Sequence, residues 1–327
     1  MPDKKKVLVV QNIHKKGIEL LKNHPNFEFE IIDAEEMVDK IDPELFKKKI
    51  ADCDALSIRT EKLSGKIIDH AKKLKIISRH GVGYDNIDLI STKNNNITLA
   101  ITATANAVAV AEHVMFMILS IAKRKNMYDT TVKSGRFIDR NKLPKTTEIW
   151  KKNMLIVGFG RIGQCLIKRC LGFEMKVYVY DPFVDEKEIK LLGGQKVNDL
   201  NVAIKDMDII SLHMPLNDKT KNMINYDILK LMKKNCILIN AARGGIINEK
   251  DLDDVLKQGF IFGAGIDVFE KEPPDINNPL LKNDKVFLSP HTAPFTEECM
   301  ERMGIETIQN IIDFFDDKLE KSKIVKI

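Results

Sequence analysis

Aromatic residues are scarce in this chain, 6% of 327 residues with a single tryptophan, and no apolar run approaches the roughly 20 residues that a membrane-spanning helix needs. The opening Met1-Pro2-Asp3-Lys4 lacks the apolar core of a secretory signal, so the cytoplasm is the expected location. An excess of one charge is also missing. Lys and Arg number 52 against 47 Asp and Glu, a net +5 on a chain that is 30% charged, which gives no reason to expect a nucleic-acid partner. The run Lys4-Lys5-Lys6 reads as a solvated lead-in to a strand. Five cysteines (Cys53, Cys165, Cys170, Cys236, Cys299) show no Cys-x-x-Cys or Cys/His spacing suited to zinc, and a disulfide scaffold does not suit this length. They read as reduced, mostly buried thiols, and no metal is expected. No internal repeat and no low-complexity segment is present.

The chain is longer than one hydrophobic core usually serves, and its 44% hydrophobic content is ordinary for a globular protein, so two domains are expected. Apolar runs rich in Val and Ile alternate with charged segments of helical period. Val7 to Val10, Phe27 to Ile32, Ala55 to Ile58 and Ile76 to Ser78 read as strands. A second series comprises Met154 to Val157, Lys176 to Tyr180, Asp208 to Leu212, Cys236 to Asn240, Gly263 to Ile266 and Val286 to Leu288. Both series are parallel α/β patterns. Between them, Asn106 to Lys125 reads as one long helix bridging the domains, followed by a polar surface connection through Thr147. After Pro294 the pattern is helical to about Leu319, and the tail from Glu320 to Ile327 can return to either domain.

The strand ending at Val157 runs into Gly158-Phe159-Gly160-Arg161-Ile162-Gly163 and then an apolar helix, the context that a dinucleotide fingerprint requires. Gly158 permits the tight turn, Gly160 lets backbone approach a pyrophosphate, and Gly163 allows the helix to pack closely on the strand. The next strand ends at Asp181, 18 positions after Gly163, where a carboxylate can take the two ribose hydroxyls. That charge, with no arginine following it, favours NAD over NADP. The alternative is that Asp181 caps the helix beginning near Asp185.

Hydride transfer also needs a proton donor beside the carbonyl oxygen and a cation for the substrate carboxylate. His291 follows a strand whose end opens toward the ligand crevice, and it suits acid/base work near neutral pH; by itself, a histidine there is more often structural. Arg243, in Asn240-Ala241-Ala242-Arg243, can hold a carboxylate by two parallel N–H bonds. Glu272 could pair with His291 and stabilise the imidazolium, so that the ring holds a proton to donate, or could be a solvated carboxylate in an acidic loop.

Over nearly its whole length the sequence resembles the D-isomer-specific 2-hydroxyacid dehydrogenase family, in its phosphoglycerate dehydrogenase and hydroxypyruvate reductase branch. The motifs are Arg79 to Asp88, Asn106 to His113, the glycine fingerprint, His213-Met214-Pro215, Asn240 to Gly245, Asp267 to Pro273 and Ser289 to Ala293. The resemblance implies two Rossmann-like α/β domains with parallel sheets. A flavodoxin-like, discontinuous substrate domain would span 1–104 and 294–327, and an NAD-binding domain 105–293. It implies that Arg243, Glu272 and His291 form the catalytic group and that backbone around Gly81, Val82 and Gly83 holds the substrate carboxylate, a plausible anion nest. Arg161 and Ile162 would then touch the pyrophosphate, Met214 and Pro215 the adenosine side, and Ala241 and Asp267 the nicotinamide side. A homodimer formed by the cofactor domains, with domain closure before transfer, is also implied.

The substrate would be a small 2-hydroxy or 2-oxo acid, and Arg59 and Arg79 are candidates for a distal phosphate or sulfonate. Two positions depart from the family pattern. His80 stands where a small residue is usual, which bears on what the carboxylate loop accepts, and Lys152 replaces a usual glycine before the Met154 strand. Serine feedback through an added regulatory domain is not expected. The rival readings are formate or phosphite oxidation, against which Glu272 counts because formate oxidation would suggest glutamine there, and an NAD-responsive, corepressor-like binding protein.

Overall fold

Strands buried on both faces need apolar residues at every position, and the Val-, Ile- and Leu-rich runs supply them. The computed structural model describes residues 4–35 and 41–327, so the first three residues of the chain lie outside it. It divides the chain into two units, Met1–Asn106 with Phe295–Ile327, and Ala107–Pro294.

Unit 1 holds a parallel sheet of β1 (Lys5–Val10), β2 (Phe27–Ile32), β3 (Ala55–Ile58), β4 (Ile76–Arg79) and β5 (Thr98–Ile101), in the order β2-β1-β3-β4-β5. This is the flavodoxin-like order, whose switch point lies between β1 and β3. Period-two alternation divides the side chains. Leu8, Val10, Leu56, Ile58 and Ile77 pack with Phe46 and Ile68 on one face, while Val7, Val9, Ala55 and Ile76 pack with Leu21, Ile308 and Ile311 on the other. Glu297–Phe315 is the long helix expected after Pro294, stopping short of Leu319. The tail returns to this unit, where Val325 N–H donates to the Leu99 carbonyl at 2.9 Å. β5 escapes the sequence reading because polar residues enclose its short apolar core, Asn94-Asn95-Asn96 before it and a threonine-rich turn after it.

Unit 2 holds β6 (Asn153–Val157), β7 (Lys176–Tyr180), β8 (Gln195–Lys196), β9 (Ile209–Leu212), β10 (Ile237–Asn240), β11 (Gly263–Ile266) and β12 (Val286–Leu288). All pairs are parallel, in the order β12-β11-β10-β9-β6-β7-β8. The chain starts at β6, runs outward to β8, and returns to β9 on the other side of β6, so the β6/β9 junction is the switch point of a Rossmann sheet. β8, two polar residues long, carries no period that a sequence reading could use. Val110, Val114, Met117 and Ile118 of the helix Ala107–Ala122 pack against Met154, Ile156, Ile237 and Ile239.

The expected single helix to Lys125 breaks at Arg124, whose backbone is left-handed (φ 50°). A second helix, Lys125–Lys133, and a short 3-10 turn, Phe137–Lys142, occupy what read as plain surface connection. Tertiary contacts accompany the break: the Arg124 guanidinium lies 4.6 Å from the centre of the Phe262 ring and donates to the Lys145 carbonyl, and the Tyr128 hydroxyl donates to the Pro144 carbonyl. Lys152 is half-buried, and the left-handed residue of its turn is the neighbouring Lys151.

Candidate active site

In a parallel sheet every strand ends on the same edge, so β6, β9, β10, β11 and β12 deliver their following loops together. Gly158 follows β6 with φ 95°, and a Cβ there would lie 2.8 Å from the His213 carbonyl after β9; only glycine fits this crossing. A Cβ on Gly163 would lie 2.6 Å from the Gly158 carbonyl, so the helix Arg161–Gly172 packs directly on the turn. That helix starts at Gly160 without a side-chain cap, and a Cβ on Gly160 would meet nothing within 4 Å. Uncapped N–H groups facing open space fit a pyrophosphate.

Arg161 is exposed, whereas Ile162 turns its side chain to the core and offers only backbone to a ligand. Asp181 ends β7. Its Oδ2 accepts from Phe159 N–H at 2.7 Å and its Oδ1 from Phe183 N–H at 2.9 Å, so the carboxylate braces the glycine turn. Asp185, not Asp181, caps the following helix. Met214 is half-buried and Pro215 exposed, with the Pro215 carbonyl accepting from the Thr220 hydroxyl at 2.7 Å.

After β10, the Asn240 side chain shapes the loop: its Oδ1 accepts from Ala242 N–H and its Nδ2 donates to the Arg243 carbonyl at 2.9 Å. Ala241 packs into the core. A Cβ on Gly244 would fall 1.8 Å from the Phe269 carbonyl, so a bare backbone is what lets this loop touch the one after β11. The Arg243 charge thereby reaches Glu272. His291 Nδ1 lies 2.7 Å from Glu272 Oε2, and Phe269 N–H donates to Glu272 Oε1 at 3.0 Å. Burial pushes the Glu272 carboxyl up, but the His291 hydrogen bond and charge, the Phe269 N–H and the Arg243 cation outweigh it and hold it below its ordinary value.

His291 itself has left-handed backbone (φ 54°), and its N–H donates to the Asp267 carbonyl at 2.8 Å. Asp267 is 1% exposed, and its carboxylate accepts from Ser289 Oγ, Thr292 N–H and Ala293 N–H. His113 Nε2 stands 2.9 Å from that Ser289 hydroxyl. His113 and Ser289 fall inside recognised motifs, but nothing in their spacing along the chain assigns them a role.

The remaining candidates belong to unit 1, at the ends of β3 and β4. Arg59 donates to the Asn12 carbonyl at 2.7 Å, and the Gln11 side-chain oxygen accepts from Thr60 N–H at 2.9 Å. Arg79 donates to the His80 carbonyl. Gly81, buried, has φ 134°, its carbonyl accepts from Thr102 N–H at 3.1 Å, and half-buried Val82 and Gly83 continue the turn. His80 is 3% exposed; burial, then the charges of Arg59 and Arg79, hold its imidazole well below the ordinary histidine range, so it stays neutral.

The fold and the glycine turn define a dinucleotide-binding protein, and comparison with known proteins narrows the class. The model of the D-isomer specific 2-hydroxyacid dehydrogenase NAD-binding domain matches residues 115–293. The chain belongs to that family. It is 36% identical over 307 residues to the D-3-phosphoglycerate dehydrogenase of Methanocaldococcus jannaschii, covering 94% of this chain and 56% of that protein. Identity to the hydroxypyruvate reductase of Thermotoga maritima is also 36%, over 311 residues, covering 94% of this chain and 97% of that one. The chain therefore spans little more than half of the first relative and nearly all of the second. The structure of D-lactate dehydrogenase from Aquifex aeolicus in complex with NAD and lactic acid superposes with a TM-score of 0.82 at 26% identity, over 97% of this chain and 98% of that one.

Among the described residues no helix is long and apolar enough to cross a membrane, and no group of three or more His, Cys, Asp or Glu could hold a metal ion. Of the five cysteines, all free, four are buried and Cys165 is half-buried.

Proposed function

We propose that the chain is an NAD-dependent oxidoreductase interconverting a small D-2-hydroxy acid and its 2-oxo acid, of the phosphoglycerate, glycerate/hydroxypyruvate or glyoxylate type. The observation that carries this reading is the His291–Glu272 pair at 2.7 Å, within reach of the Arg243 charge, on the sheet that bears the glycine turn. An ionised carboxylate only accepts hydrogen bonds, so the His291 proton facing Glu272 sits on Nδ1, and Nε2 is the atom that exchanges a proton with substrate. In reduction, Nε2–H gives its proton to the carbonyl oxygen; in oxidation, Nε2 takes one from the hydroxyl. Glu272 holds the ring and compensates its charge, and Arg243 binds the substrate carboxylate. The bound nicotinamide supplies or accepts the hydride at C2.

On the same reading unit 2 is the cofactor domain, its pyrophosphate contacts coming from the Gly158 to Gly163 turn and the adenosine and nicotinamide contacts from Met214, Pro215, Ala241 and Asp267. Asp181 takes the ribose hydroxyls with the acceptor capacity its two N–H bonds leave. Unit 1 is the substrate domain. There the backbone of Gly81, Val82 and Gly83 is assigned to a carboxylate, and Arg59 and Arg79 to a distal anionic group. Names of dehydrogenases and reductases among the relatives favour catalysis over a corepressor-like role. A homodimer through unit 2 is supported by exposed Phe116, Phe137, Ile138 and Trp150. Five free thiols suit a reducing cytoplasm.

The test is NADH oxidation with hydroxypyruvate, glyoxylate, 3-phosphohydroxypyruvate, pyruvate and sulfopyruvate in parallel, each repeated with NADPH. Turnover preferring NADH on one of them supports the reading and identifies the distal group. Silence on all five, with a protein partner captured only in the presence of NADH, would replace it with the binding-protein role.

A further inference from the structure

The helix Ala107–Ala122 packs against β11 along a matched pair of repeats. On the helix, His113, Met117 and Ile121 recur every fourth residue, about 6 Å apart. On the strand and just past it, Asp267, Gly265 and Gly263 recur every second residue, about 6.6 Å apart. A Cβ on Gly263 would come within 2.9 Å of Ile121, and one on Gly265 within 3.0 Å of the Met117 sulfur. His113 Nε2 lies 3.6 Å from Asp267 Oδ1. Because β11 carries no side chains on this face, the helix settles onto it, and the last step of the register sets an imidazole over a buried carboxylate. Phe116, one turn along, meets Phe287 of β12 edge-on at 5.2 Å and holds the next strand as well.

The hydrogen-bond directions follow from counting protons. Asp267 only accepts, so Ser289 Oγ donates its single proton to Oδ1 at 2.6 Å. At 2.9 Å, His113 Nε2 must then donate to Ser289 Oγ, which fixes the neutral ring as the Nε2–H tautomer. Burial lowers the affinity of this ring for a second proton, partly offset by the Asp267 charge. Beyond Asp267 the chain of bonds continues into the backbone: Thr292 N–H and Ala293 N–H donate to its carboxylate and His291 N–H to its carbonyl.

We propose that His113 is a positioning residue for His291, acting through Ser289 and Asp267 to hold the turn that keeps the imidazole against Glu272. The inference rests on the reading of His291 as the proton-transfer group.

The test compares wild type, His113→Phe, His113→Gln, Ser289→Ala and the double variant His113→Phe with Ser289→Ala. Two measurements are made on each: steady-state turnover on the oxo acid that wild type reduces, and the ring-nitrogen NMR spectrum of histidine-labelled protein. Phenylalanine keeps a flat aromatic ring and removes the donor, so kcat should fall about tenfold or more from misplacement of the reacting group while KM for NADH stays within about twofold. Glutamine restores an N–H near the same place and should recover most of the loss. The double variant should be no slower than its slower parent, since both break one chain of bonds. A His113→Phe enzyme within about twofold of wild type, or a His113→Gln enzyme as slow as His113→Phe, overturns the proposal.

If wild type reduces no oxo acid, the functional reading fails, and the spectra decide the positioning role separately. An Nε2–H tautomer at His113, with a His291 signal displaced by His113→Phe and restored by His113→Gln, upholds it. A proton on His113 Nδ1 alone, or a His291 signal indifferent to both changes, overturns it.

Discussion

The sheets of the two units follow the same doubly wound rule, yet their strand ends are furnished differently. In unit 2 the loops carry ionisable side chains in direct contact: Glu272 on His291, with Arg243 close enough to act on Glu272. In unit 1 the corresponding edge offers a backbone turn at Gly81, two arginines tied to main-chain carbonyls, and a neutral buried histidine. Beneath that edge Ser57, Ser78, Thr102, Thr307 and Asn310 are fully buried, where the unit 2 sheet buries Ile156 and Ile239 on either side of Ser211. The comparison separates two jobs that one topology can do. Groups that gain or lose a proton set a rate, whereas fixed donors and cations set an affinity.

The strongest challenge to that division is His291→Ala. It should lower kcat by about a hundredfold to ten-thousandfold, the usual worth of a proton-transfer group, with NADH binding, followed by fluorescence titration, retained; near-normal turnover would end the division. Glu272→Gln comes next, because it keeps the shape and removes the charge behind the imidazole. A fall in kcat of about tenfold to a hundredfold is expected from loss of one electrostatic partner, larger than any change in KM.

Unit 1 should answer in the other parameter. Gly81→Ala places a Cβ against the Arg79 guanidinium at φ 134°. Strain of about 1–3 kcal/mol should appear mainly as a raised KM for the oxo acid, and a loss confined to kcat would break the comparison.

The smallest effect concerns pH. The unfolded chain takes up a proton on His80 as pH falls below about 6.5, the ordinary value, while the folded unit keeps the ring neutral to well below it. Stability from this group is therefore complete above pH 6.5 and is lost as pH falls, by at most about 1.4 kcal/mol per pH unit. Amide exchange in β4, followed downward from neutral pH, should show a shallower slope in His80→Ala. In unit 2, Glu272 adds a similar loss that begins only below its ordinary value of 4.5, so β4 should respond first.

What the sequence conveys and what it withholds divide along physical lines. Runs such as Met154–Val157 announce themselves because a strand buried on both faces has to be apolar throughout. Gln195–Lys196 does not, since two polar residues at a sheet edge carry no period. The glycine turn is readable because its spacing meets a backbone requirement. Arg243, Glu272 and His291 are readable as candidates because each follows a strand. The bond between Glu272 and His291 is another matter: it depends on a loop folding back until Phe269 N–H meets Glu272, and no spacing states that. His113 is hidden more deeply, being 176 residues from Ser289. Only the register of a helix against a glycine-lined strand brings them together. The break at Arg124 is illegible for a related reason, since the guanidinium there stacks over Phe262, a contact no local pattern states.

The discontinuity of unit 1 also sets an order of events on the ribosome. Unit 2 is one continuous stretch, Ala107–Pro294, and can close its sheet as soon as it has emerged. The five strands of unit 1 are made earlier, but the helix that covers Val7, Val9, Ala55 and Ile76 is Glu297–Phe315, made near the end. Throughout synthesis of unit 2, the part of that sheet face not covered by the early helix Lys15–Asn23 waits for a partner more than two hundred residues away, as the Ser78–Thr307 contact, 229 apart, illustrates. A nascent chain in that condition is a natural client for a chaperone, and slowing translation between the two segments should raise aggregation of the first-made half rather than the second.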